Sequence, residues 1–136
     1  MNDTLDEYAF TIHLDVRYEE ARERTVAALK EQGFGVVTEI DMRSTMREKL
    51  DVEFRKYAIL GACNPKLAIR ALAAEPQVGL LLPCNVIVYE DVDGSGTTVS
   101  VVDPLGMLGD IGVTELRAVA DEAHGRLAKV AEALVA

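Results

Sequence analysis

Tyr8, Phe10, Ile12 and Leu14 alternate with Ala9, Thr11 and His13. Alternation with a period of about two predicts a first strand with one buried face. From Tyr18 to Gln32 the pattern becomes helical. Ala21, Thr25, Ala28 and Leu29 form a small-sided stripe, while Glu19, Glu20, Glu23, Arg24, Lys30 and Glu31 lie off it. Gly33 follows, where a left-handed helix end favours glycine. Phe34 to Ile40 is rich in β-branched residues and reads as a second strand. Ser44 to Leu50 reads as a short helix with Ser44 as its N-cap. Lys56 to Ala62 reads as a third strand. Asn64-Pro65 then gives a strong helix start, since Asn caps well and Pro at the first helical position lacks no needed donor. Leu67, Ala68, Ala71 and Leu72 form the stripe of that helix, which must stop before Pro76.

Leu82 to Glu90 and Thr97 to Val102 read as a hairpin turned by Asp93-Gly94-Ser95-Gly96. Asp103-Pro104 ends the second of these strands as a turn, and a Gly-rich segment, Gly106 to Gly112, follows. A last helix runs from Val113 to Val135, with Leu116, Val119, Ala120, Ala123, Leu127, Val130, Ala131 and Leu134 on one stripe. Gly125 inside it predicts a close backbone approach. The order is strand, helix, four strands, helix, with short helices inserted. The expected fold is a single α+β domain over residues 1–136, two main helices packing on one face of a mostly antiparallel five-stranded sheet.

Composition narrows the function classes. The chain has 136 residues, 49% apolar and 27% charged, enough for one core without disulfides. Lys and Arg number 14 against 23 Asp and Glu, a net charge of −9. Such a surface repels phosphate backbones and anionic lipid, so neither nucleic acid nor membrane is an expected partner. No apolar run reaches the ~20 residues that span a bilayer, and the longest, Val78 to Val88, is interrupted by Gly79, Pro83, Cys84 and Asn85. The acidic start, Met1 to Glu7, lacks the features of a signal peptide. The expected location is therefore the cytoplasm, with Cys63 and Cys84 as reduced thiols. Aromatic residues are 5% and Trp is absent, so no stacking platform is expected. Phosphate-loop, metalloprotease and paired-cysteine motifs are missing, and no cofactor is expected.

The chemistry concentrates in two dipeptides, Cys63-Asn64 and Cys84-Asn85. Cys63 stands just before a helix N-cap, where unpaired N–H groups and the helix dipole favour a thiolate; Lys66 in the first turn adds to this. If the strands preceding and following these motifs are antiparallel neighbours, both cysteines and both asparagines meet at one sheet end. If the connection is a parallel crossover, they lie a strand length apart, ~20 Å. The bland alternative is that both thiols are small buried hydrophobes, Asn64 a cap and Asn85 a strand-start residue. Two Cys with His13 and His124 make four potential ligands, but no pair has the short spacing of a zinc site. Glu39 and Asp41 share a strand face, and Lys49 is placed to neutralise one of them. Asp103 completes the polar candidates for ligand binding, although a turn explains it equally well.

Several segments resemble a known family: Gly33 to Asp41, Glu48-Lys49-Leu50, Tyr57 to Pro65, Gly79 to Val86, and Asp103-Pro104. They are similar to the prokaryotic "domain of unknown function 302", the two Cys-Asn motifs being the most specific part. The resemblance implies a TATA-binding-protein-like fold and a homodimer, without a settled activity and with no DNA-binding implication. Three functions compete. The first is a thiol-dependent redox or sulfur-handling role, with Cys63 as nucleophile, Cys84 as partner, and Asn64 and Asn85 orienting groups. The second is a non-catalytic dimeric module binding a small apolar ligand between sheet and last helix, framed by the first helix and the Gly-rich segment. The third is a metal sensor.

Overall fold

Alternating burial shows how the sheet is built. The computed structural model describes residues 5–136; residues 1–4, part of the acidic start read above for signal features, lie outside the described residues. The five strands are β1 (Ala9–Leu14), β2 (Gly35–Asp41), β3 (Tyr57–Cys63), β4 (Cys84–Glu90) and β5 (Thr97–Val102). They pair antiparallel throughout, in the order β1-β5-β4-β3-β2. Ile12 and Leu14, Ala58, Leu60 and Ala62, Val86 and Val88, and Val99 and Val101 are buried on one face. Each larger side chain among them contributes on the order of 1.5–3 kcal/mol by leaving water.

Helices α1 (Tyr18–Glu31) and α5 (Thr114–Val135) cover that face. Ala21, Thr25 and Leu29 are the buried stripe of α1, and its end turns through Gly33 at φ 84°. The stripe of α5 is buried as its spacing requires, with Ala131 only partly covered. Gly125 differs from expectation: it is exposed, and an added Cβ there would meet open space. Helix α3 (Pro65–Ala74) rests on α5, where Arg70 reaches both Glu115 and Glu122 at 3.1 Å.

Two short helices correct the sequence reading. Helix α2 spans Met42–Leu50 and is capped by Asp41, whose carboxylate accepts the Ser44 N–H at 3.1 Å. Ser44 is therefore inside the helix rather than its cap. Asp103-Pro104 starts helix α4 (Pro104–Leu108) instead of a simple turn. Asp103 accepts the Leu105 N–H at 3.1 Å, with Pro104 in the first turn, the same logic as Asn64-Pro65. On the uncovered face Tyr57 and Tyr89 stack, with ring centroids 5.2 Å apart, so the low aromatic content does include one stacked pair. No helix among the described residues is long and apolar enough to cross a membrane.

Candidate functional site

Strands β3 and β4 are neighbours, and this brings the two dipeptides together. Ala62 faces Cys84 and Gly61 faces Asn85 across the ladder, which places Cys63 at the closing end of one strand beside the opening of the other. A Cβ on Gly61 would collide with Thr38 Oγ1 and Pro83 Cγ, so glycine here admits both neighbours. Asn64 is buried. Its Oδ1 accepts the Leu67 N–H at 3.3 Å, and its Nδ2 donates to the Gln32 carbonyl at 3.4 Å. The cap thus ties the start of α3 to the end of α1.

Cys63, Asn64 and Cys84 line one cavity of about 340 Å³ between the ends of β2–β4 and helices α3, α4 and α5. Phe34, Leu67, Ala71, Leu108, Val119 and Ala123 supply much of its apolar wall, and no charged side chain lines it. Burial pushes the Cys84 thiol up to about 11, and charge on nearby Cys63 acts in the same direction. Cys84 is therefore protonated at neutral pH. An apolar cavity of this size in an otherwise close-packed fold is suited to an uncharged guest.

The other sequence candidates go elsewhere. Asn85 is exposed and lines a second, smaller cavity of about 150 Å³ with Cys84, Val102 and Met107. Glu39 and Asp41 do not form an acid pair. The Arg22 guanidinium grips the Glu39 carboxylate, including an Nε contact at 2.8 Å, and holds its pKa below the usual carboxylate range. The cation that meets Glu39 is thus Arg22 rather than Lys49, which is exposed on α2. Asp103 caps α4 and meets His124 Nδ1 at 2.9 Å. His13 lies far along the sheet, its Nδ1 2.8 Å from Asp91. No group of three or more His, Cys, Asp or Glu among the described residues is placed to hold a metal ion.

Sequence reasoning missed Pro104 as cavity wall, because Asp103-Pro104 was read as a turn; Leu108 lies in the Gly-rich segment that was expected to frame a cavity. Leu67, Ala68 and Ala71 were assigned to a core stripe, and they do line the interior, but beside a hollow. The family model "Domain of unknown function DUF302" matches residues 10–134. The chain belongs to the DUF302 family. A solved relative, an uncharacterized conserved DUF302 protein from Bacillus stearothermophilus, is 29% identical, with a TM-score of 0.82 over 93% of this chain and 97% of that one. No curated protein matches the chain. The DUF302 resemblance read from the Cys-Asn motifs is therefore correct, and the α+β fold with its five-stranded sheet stands with it.

Proposed function

We propose that this DUF302 chain binds a small uncharged apolar molecule in the cavity walled by Cys63 and Cys84. The observation that supports it is the cavity itself: about 340 Å³, without a charged lining residue. A half-open cavity lined by carbon leaves apolar surface in water, and covering it with a guest contributes about 25 cal/mol per Å². Its wall joins the sheet ends to the last helix and includes Leu108 of the Gly-rich segment, while α1 takes no part in it. The test is titration with the neutral fluorophore N-phenyl-1-naphthylamine. Binding is expected, together with a rise in the unfolding midpoint as the guest is added. Ala68→Phe, which fills the cavity from α3, is expected to weaken binding about tenfold or more. Absence of binding, or binding indifferent to Ala68→Phe in a folded variant, overturns the reading.

Thiol chemistry is the second reading, favoured by two thiols in one wall, one of which senses the other's charge. In that reading Cys63 attacks and Cys84, kept protonated, is its partner. Iodoacetamide labelling followed by intact mass tests it: Cys63 must label in the folded protein, and labelling only after unfolding removes the reading. A homodimer, as the family resemblance implies, belongs to the same proposal. The half-buried Tyr57, Ile59, Ile87 and Tyr89 on the uncovered sheet face support it. Sedimentation equilibrium showing only monomer at micromolar concentration would sink it.

A further inference from the structure

The two cavities at the thiol end are not independent. Leu82, Pro83, Cys84, Pro104 and Leu108 line both the larger and the smaller one. The larger is bounded by α3 and α5 through Leu67, Ala71, Val119 and Ala123. The smaller includes Asn85 and Val102, one residue along from the buried Val86 and Val101, and so reaches the opposite face of the sheet. Together they wrap the start of β4.

Their chemistry differs at one point. The wall of the larger cavity holds Asn64, but both ends of that amide are already engaged, one with Leu67 and the other with Gln32. In the smaller cavity the Asn85 amide has no such partner among the described residues. Neither cavity has a charged lining residue, and the chain carries a net charge of −9. A carboxylate or phosphate head would meet no cation there and would face a chain of like net charge.

We infer that the two cavities form one bipartite site for a neutral, chain-shaped molecule, such as a long-chain alcohol or amide. Its hydrocarbon body occupies the larger cavity, its chain bends past Cys84, and its polar head is hydrogen-bonded by Asn85. The inference rests on the proposed apolar binding and adds to it the shape, the charge and the orientation of the guest.

The test is displacement of N-phenyl-1-naphthylamine by the 1-alkanols from butanol to tetradecanol and by the matching alkanoates. Affinity is expected to rise about fourfold per added methylene while the chain still finds apolar wall. The rise should continue beyond the length that fills the larger cavity. Each alkanoate is expected to bind about tenfold or more weakly than its alcohol. Met107→Trp occupies the smaller cavity from its exposed side. It should end the rise at shorter chains, whereas Ala68→Phe in the larger cavity should weaken the long alcohols most. Asn85→Leu should weaken the alcohols and leave alkanes of equal length unaffected. If affinity levels off at short chains in the unmodified protein, or if Met107→Trp and Asn85→Leu are both silent, the bipartite site is wrong while apolar binding in the larger cavity survives. If neither the fluorophore nor any alcohol binds, both readings fall.

Discussion

Cys63-Asn64 and Cys84-Asn85 are the same dipeptide, and the fold uses them in opposite ways. In the first the asparagine is the buried partner: it caps α3 and holds the end of α1. In the second the asparagine is exposed on the far side of the sheet, while the cysteine turns inward. The reason is position within the strand. Cys63 closes β3, where the chain leaves the ladder for a helix and its polar neighbour meets free N–H groups. Cys84 opens β4, where successive side chains alternate faces and the two residues must part company. A repeated motif therefore need not mean a repeated role.

The largest test of this contrast is alkaline. Cys84 titrates near 9 when unfolded and about 11 when folded. Between those values the unfolded chain has lost the proton and the folded chain has kept it. Stability is thus intact below pH 9 and falls as pH rises toward 11, by about 2–3 kcal/mol for this group. Burial also raises Tyr18 and Tyr57, so the contribution is read as the difference between the unmodified protein and Cys84→Ala in urea unfolding across that range. Equal pH profiles would show that the thiol is more hydrated than its burial implies.

Next in size is Gly61→Ala, two residues before Cys63 and opposite Asn85 in the ladder. Its methyl would collide with Thr38 and Pro83, and overpacking of this kind costs roughly 1–3 kcal/mol. A variant with unchanged urea midpoint would mean that the sheet end yields easily. The asparagines then separate the two motifs directly. Asn64→Ala should cost about 1 kcal/mol through the lost cap, and Asn85→Ala should stay within about 0.5 kcal/mol, as exposed substitutions do. Equal losses would erase the contrast. The smallest effect is Cys63→Ser, which removes an ionisable neighbour. The Cys84 thiol should titrate slightly lower, seen as thiolate absorbance rising earlier in a pH titration of the variant.

Much of the architecture was legible because its causes are local. β5 runs from Thr97 to Val102, as its alternation indicates, and the α5 stripe is buried along its length. Asn64-Pro65 marked α3 because cap and first-turn chemistry act within four residues. The same signal in Asp103-Pro104 was passed over because Gly106 and Gly109 argued against a helix. Asp41 was read as sharing a strand face with Glu39, although it is a cap three residues before Ser44. Arg22 was not singled out in the sequence, because its grip on Glu39 crosses from α1 to β2.

The chain alone determined the α+β class, the family, the element order and the two dipeptides of interest, since these follow from periodicity, capping and motif identity read along the backbone. Only tertiary structure decided that β3 lies beside β4, that the thiols share a hollow, that Cys84 is held protonated and that Asn85 faces away. Each of these depends on which distant segments pair and what they exclude from water. That is a property of the packed whole, and spacing along the chain does not encode it.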